Sequence, residues 1–209
     1  MQRKAFDVFA SIGGLLMVVV LVVAGGLLMW GYSFANSNVH NQLAEQQIVF
    51  PSAAAFAHPV AGTEITPSMI GTVSKYAGQP LTTGTQAEVY ANDFIAVHLG
   101  EIGGGKTYSQ LSAAAMALPK GSAAYTAAEA KVGTVFQGTT LRGLLLEAYA
   151  FGTFGMIALV AGICSFVLAG LMALLVALGF WHARRTDETE ELAVHTTTST
   201  VSEKELVNV

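Results

Sequence analysis

Two long stretches of this chain carry no charge, and their apolar residues fall on every face a helix offers. The first runs from Val8 to Ala44, and its strongly apolar part is Val8 to Trp30. A helix needs roughly 20 apolar residues to cross a hydrocarbon core, so a membrane-spanning helix is predicted over 8–32. The second stretch, Ala148 to Trp181, is uncharged over 34 residues. At 1.5 Å per residue such a helix is about 51 Å long, against a core of ~30 Å. Residues 143–182 are therefore assigned to a stalk and a second span, with lipid contact near Phe154 to Phe180. Gly152 and Gly155 mark the expected bend or the point where lipid begins.

The pattern changes between these runs. All five prolines lie between Pro51 and Pro119, and charges, Gly and Thr appear among shorter apolar clusters. The first helix is expected to continue beyond the span until Pro51 stops it. Thr66-Pro67 forms a helix start with Met69, Ile70 and Val73 on one stripe, ended by Gly78. Thr85 is a cap for a helix bearing Tyr90, Phe94, Val97 and His98, although Phe94 to Val97 also suits a strand. Thr107-Tyr108-Ser109-Gln110 reads as a capping box before Leu111 to Leu118. Thr140 is placed at the start of the helix leading into the second span. The expected core is Ile65, Met69, Ile70, Val73, Tyr76, Tyr90, Phe94, Val97, Leu111, Met116, Leu118, Val135 and Phe136. For the ~110 residues of 33–142 that is thin, so this domain is expected to lean on the helix stalks, a second copy or a partner.

Composition supports the pattern. Of 209 residues, 53% are hydrophobic and 11% charged, and mean hydropathy is +0.53. Ordinary soluble domains carry about 25% charge, so a disordered chain is excluded and a purely soluble one disfavoured. The net charge of −4 holds no basic block, which leaves nucleic-acid binding without an electrostatic footprint. One cysteine, Cys164, permits no intrachain disulfide.

Arg3 and Lys4 precede the first run, and Arg184 and Arg185 follow the second. Positive charge beside membrane ends marks the cytoplasmic side, while long loops cross largely regardless of charge. The expected layout has both termini in the cytoplasm (1–7 and 183–209), residues 33–142 outside the plasma membrane, and Trp30, Tyr32 and Trp181 at interfaces. The first run exceeds the 7–15 residues of a signal-peptide core, which favours an uncleaved anchor. The acidic tail reads as disordered. Thr186 and Thr189, set among acids, are phosphorylation candidates.

In the second run Ala158, Gly162, Ser165, Ala169 and Ala173 recur at spacings of four, three, four and four. Small residues on one face let helix backbones approach closely in lipid. They are the candidate packing surface, toward either the other span or a neighbouring subunit.

Candidate chemistry is sparse. Gly100 to Thr107, GEIGGGKT, matches the G-x-x-x-x-G-K-[ST] phosphate loop. No apolar run ending in a metal-binding Asp follows it, and there is little room for the parallel sheet that carries such loops. A glycine turn between two helices capped by Thr107 is the expectation. His40, His58 and His98 have no metal-ligand spacing, and no G-x-S-x-G elbow is present. Neither span has an acid at its centre, which disfavours proton or ion transport. Glu147 and Arg142 are expected as a pair at the outer margin. No catalytic residue, metal ligand or cofactor is assigned.

The segments FDVFASIGG, VLVVAGGLLMWG, QLAEQQIVFP, YAGQP, GGKTYSQLS and TLRGLLLEAYAFG occur in order over about 5–185. In them the chain resembles a family of uncharacterised two-span membrane proteins of high-GC Gram-positive bacteria. Members often bear the label aromatic ring-opening dioxygenase. The resemblance implies two-span topology and a cell-envelope location, and the label implies an iron site of two histidines and a carboxylate. The residues themselves predict an all-α membrane protein without catalytic activity of its own. Its expected partners are the lipid bilayer and other membrane proteins or a second copy. The expected role is an accessory or scaffold subunit of a larger complex. The alternative is an extracytoplasmic ligand-binding or sensor protein relaying to the acidic tail.

Overall fold

The computed structural model describes residues 3–60 and 62–185; the expected acidic tail, with Thr186 and Thr189, lies outside them. Among the described residues the chain is helical, with one isolated antiparallel bridge, Val49 to Pro80, and no strand. The α-helices are α1 (Arg3–Glu45), α2 (Gly84–Val89), α3 (Ala96–Gly103), α4 (Tyr108–Met116) and α5 (Ala123–Ala183). A π-helical turn, Tyr90–Ile95, joins α2 to α3, and short 3₁₀ turns cover Ala53–Ala57, Pro67–Met69 and Val73–Tyr76. Both α1 (43 residues) and α5 (61 residues) contain stretches long and apolar enough to cross a membrane.

The chain divides into two compact units. The first joins Met1–Ala24 to Cys164–Val209, and the second is Gly25–Ile163. In the first, the described parts of α1 and α5 pack side by side. The second contains the rest of both helices and everything between them.

Several local expectations are corrected by the backbone. α1 ends at Glu45, before Pro51, and Gln47 turns the chain with φ of 54°. Thr66-Pro67 starts only a three-residue 3₁₀ turn. Ile70 is extended, and Gly71 takes a left-handed φ of 88°. The single helix expected there is thus broken, and Ile70 is left exposed. The cap of α2 is Thr83 rather than Thr85: its hydroxyl accepts from the Gln86 N–H, and Gln86 Oε1 accepts from the Thr83 N–H. The helical reading of Phe94 to Val97 prevails over the strand. Thr140 caps nothing. It lies within α5 and its hydroxyl donates to the Phe136 carbonyl one turn back.

The core of the second unit draws on the long helices. Val39 and Leu43 from α1 and Leu145 from α5 close around Phe50, Ile65, Met69, Val73, Leu81, Ala87, Ala91 and Ile95. Phe50, Met69, Val73 and Leu81 are sealed from solvent. Two backbone bonds, Phe50 N–H to Gln79 O (2.9 Å) and Leu81 N–H to Ile48 O (2.9 Å), clip the strap after α1 against the segment before α2. The expected core members Ile65, Met69, Val73 and Val135 are buried, whereas Ile70, Met116 and Phe136 are exposed. Reliance on the helix stalks therefore takes concrete form: they supply part of the core that the intervening segment lacks.

Candidate functional site: the α1–α5 seam and the turns around it

Within each unit α1 and α5 meet along one face. On α5, Gly155, Gly162, Ser165, Ala169, Val176 and Ala183 are buried, and Ala158, Met172 and Gly179 are half-buried. These positions alternate by three and four, a period of 3.5 residues, as in interlocking helix pairs. On α1 the covered positions Asp7, Ser11, Gly14, Val18, Leu21, Gly25, Leu28, Tyr32, Ala35 and Val39 repeat in the same way.

Within the first unit, Ser165 Oγ donates to the Leu21 carbonyl of α1 at 2.8 Å. Gly14 faces Val176: a Cβ at Gly14 would stand 2.6 Å from Val176 Cγ2, and one at Gly179 2.6 Å from Ser11 Oγ. The Ser11 hydroxyl donates to the Asp7 carbonyl (2.8 Å), and Asp7 Oδ2 lies 4.0 Å from His182 Nε2. Within the second unit, a Cβ at Gly162 would meet Leu28 Cβ and Met29 Sδ at 3.3 Å and the Gly25 carbonyl at 3.4 Å. One at Gly155 would meet Ala35 Cβ at 3.3 Å. Small side chains on both helices permit these approaches.

Of the five residues proposed for packing, Gly162, Ser165 and Ala169 are buried in the seam, Ala158 lies at its margin, and Ala173 is exposed. Met172 takes the place expected for Ala173, because a strict seven-residue repeat from Ala158 and Ser165 reaches 172. Gly152 and Gly155 lie within α5, which is helical from end to end, and both are contact notches. Gly152 makes room for Gly84 at the start of α2: a Cβ at Gly152 would lie 3.4 Å from Gly84 Cα.

The outward faces have the opposite character. Phe9, Leu16, Leu27 and Trp30 on α1, and Phe154, Leu174 and Leu175 on α5, are more than 60% exposed. Soluble helices bury such residues and expose polar ones; here glycine, serine and alanine share the inside with a few larger residues such as Leu28 and Val176, and most large apolar side chains of these runs are outside. Cys164 is on the exposed side.

The GEIGGGKT segment forms a helix–turn–helix. Its first four residues are the last turn of α3, which follows the π turn, whereas a phosphate loop follows a strand. Gly104 and Gly105 have φ of 60° and 73°. The Gly105 N–H bonds Gly100 O at 2.8 Å and the Gly104 N–H bonds Glu101 O at 3.2 Å. This pair of bonds is a Schellman ending. Lys106 N–H bonds Gly103 O at 3.3 Å, so amides that would wrap a phosphate are committed to carbonyls. Thr107 then caps α4: its hydroxyl accepts from the Gln110 N–H (3.3 Å), and Gln110 Oε1 accepts from the Thr107 N–H (2.9 Å).

The residues do not fit the two-histidine, one-carboxylate iron site of the dioxygenase label. His40 and His58 are exposed, and His98 is held to its own helix through Nδ1 and the Phe94 carbonyl at 2.8 Å. Among the described residues no three His, Cys, Asp or Glu side chains gather closely enough to hold a metal ion. Arg142 does not seek Glu147; its Nη2 donates to Asn92 Oδ1 of the π turn at 2.8 Å.

Two features of the second unit escaped the sequence. One is an aromatic ladder. Tyr76 and Tyr90 flank Phe50 with centroids at 5.3 and 5.2 Å, and Phe94 and His98 continue from Tyr90 at 4.7 and 4.6 Å. The i, i+4 spacing of 90, 94 and 98 was visible in the chain; the insertion of Phe50 was not. Burial, then the Glu64 carboxylate, raises the Tyr90 hydroxyl above its ordinary value. The other is a groove of about 550 Å³ between the final turns of α1 and residues 141–151 of α5.

Comparison with known proteins yields no matching family model, no matching curated protein and no matching solved structure.

Proposed function

We propose that the chain is an integral plasma-membrane protein acting as an accessory or scaffold subunit of a larger membrane complex. α1 and α5 span the bilayer as an antiparallel pair and carry the second unit's helical cap outside. The observation that carries this reading is the seam rich in glycine, alanine and serine, together with the many large apolar side chains that face outward along both runs. Water would penalise that surface at about 25 cal/mol per Å², whereas lipid carries no such penalty and leaves close packing as the association force. Arg3, Lys4, Arg184 and Arg185 set both termini in the cytoplasm. The scaffold role is supported by exposed apolar side chains on the cap, Ile70 and Met116 among them, which a partner would cover.

The test uses Cys164→Ser as background, with single cysteines introduced at exposed His58, Lys120 or Arg184. In intact cells a membrane-impermeant maleimide is expected to label 58 and 120, and to label 184 only after permeabilisation. Carbonate-washed membranes are expected to retain the protein, and chemical crosslinking in them to give defined higher-mass species. Release by carbonate overturns the membrane reading, and labelling of 184 alone in intact cells overturns the orientation. Recovery as a lone monomer under all crosslinking conditions overturns the scaffold role. The ligand-binding alternative is favoured by the α1–α5 groove.

A further inference from the structure

We infer that the groove between the last turns of α1 and the middle of α5 is a binding site for a neutral, hydroxyl-headed lipid with its acyl chain laid along α5. This rests on the membrane reading above. The groove encloses about 550 Å³, within the 300–1,000 Å³ of ordinary ligand sites. Both walls are mainly apolar and carry a few polar groups. The α5 wall presents Leu141, Leu144 and Phe151, respectively 38%, 59% and 51% exposed. These side chains lie on the cap side of Phe154, where the second span begins, so the bilayer core does not cover them.

On the α1 wall Asn38 and Gln42 lie one turn apart on the helix, and Gln46, in the turn just after it, adds a third amide. Asn38 uses one donor on the Phe34 carbonyl at 2.9 Å. Each side-chain amide both donates and accepts, and the Glu147 carboxylate adds an acceptor at the groove. No Lys or Arg lines it, and Arg142, the cation nearest in sequence on α5, is engaged with Asn92. A phosphate would therefore meet a carboxylate and no counter-charge. A hydroxyl head finds donors and acceptors on one side and a carboxylate to donate to on the other.

Continuity with the lipid-facing surface supplies the route. Phe34 and Phe151 line the groove and are both more than half exposed. Phe34 stacks on Trp30, with centroids 5.6 Å apart, at the edge of the first apolar run. A chain leaving the adjacent leaflet thus meets the apolar side chains of Trp30, Phe34 and Phe151 at the mouth of the groove.

The test uses the full-length protein in nanodiscs of uncharged lipid. The probe is a monoacylglycerol with a diazirine near the chain end, compared with a lysophosphatidylglycerol bearing the same chain. After irradiation, labelled peptides are mapped by mass spectrometry with and without excess unlabelled monoacylglycerol. Labelling within 34–46 and 141–151 is expected to saturate and be competed, whereas labelling of the spans is not. One favourable charged hydrogen bond replaced by a repulsion corresponds to about tenfold weaker labelling by the anionic probe. Gln42→Trp, an exposed position on the groove, is expected to abolish competed labelling without lowering thermal stability, and Glu147→Gln to narrow the gap between the probes.

Equal or stronger labelling by the anionic probe overturns the head-group assignment. Absence of competed labelling overturns the site, as does efficient disulfide dimerisation through Leu144→Cys in the Cys164→Ser background, which would make this face a contact between copies. Carbonate extraction of the same membranes separates the two failures: a protein that stays in the membrane yet shows no competed labelling loses the groove alone.

Discussion

Gly162 offers the sharpest test of the seam, because the same helix contains a matched control. A Cβ at Gly162 would press on Leu28 Cβ and Met29 Sδ at 3.3 Å and on the Gly25 carbonyl at 3.4 Å, while one at Gly170 would meet nothing within 4 Å. Gly162→Leu and Gly170→Leu share the same gain in helix propensity, up to ~0.8–1 kcal/mol. That gain cancels in their difference, which isolates the overpacking cost of roughly 1–3 kcal/mol. For a chain of this length each kcal/mol moves the midpoint by about 2–4 °C. Gly162→Leu is therefore expected to melt roughly 2–12 °C below Gly170→Leu in mild detergent, followed by helical circular dichroism. Gly162→Ala is expected near wild type, since contacts at 3.3–3.4 Å need only tenths of an ångström of adjustment and the propensity gain offsets them. Equal midpoints for the two leucine variants would show that Gly162 does not face α1.

Three further outcomes follow from single bonds and one ionisation. Ser165→Ala removes the 2.8 Å bond to the Leu21 carbonyl and is expected to cost about 0.6 kcal/mol, the average for such bonds in membrane helices; an unchanged unfolding free energy in a reversible detergent titration would contradict it. Thr107→Ala removes the capping hydroxyl of α4 and is expected to cost about 0.5–2 kcal/mol, read as faster amide exchange over residues 108–111, with unchanged exchange as the refuting result. Tyr90 holds its proton more tightly when folded, so from about pH 10 upward the unfolded chain ionises first and stability falls as pH rises toward the raised value. Tyr90→Phe should flatten that alkaline loss while leaving stability below pH 10 nearly unchanged; an identical alkaline limb in both proteins would refute the assignment.

Much of the secondary structure was legible in the residues. Uncharged runs of this length admit a long helix and little else, and both helices are present. The capping box at Thr107 and the glycine turn before it were readable because short-range hydrogen bonds decide them. Local signals failed where two close alternatives competed. Thr83 and Thr85 each have a capping-box partner three residues on, Gln86 and Glu88, and only the folded chain shows that the box closes at Thr83. Thr66-Pro67 is a sound start, yet Gly71 in left-handed geometry ends the turn before a helix can grow.

The sequence by itself determined that two long segments are helical and apolar enough to cross a membrane, where the capped start of α4 falls, and that small residues recur along the second long helix. Tertiary structure decided which of those small residues meet a partner. Gly and Ala occur on several faces of α5, so composition could not separate Met172 from Ala173; the facing helix imposes a 3.5-residue repeat and selects Met172. It also decided the core. Val39, Leu43 and Leu145 read locally as parts of long apolar helices, and only packing against Phe50 and Leu81 makes them the walls of the cap. Hydrogen bonds a few residues apart are encoded where they form, whereas burial depends on what the rest of the chain brings alongside.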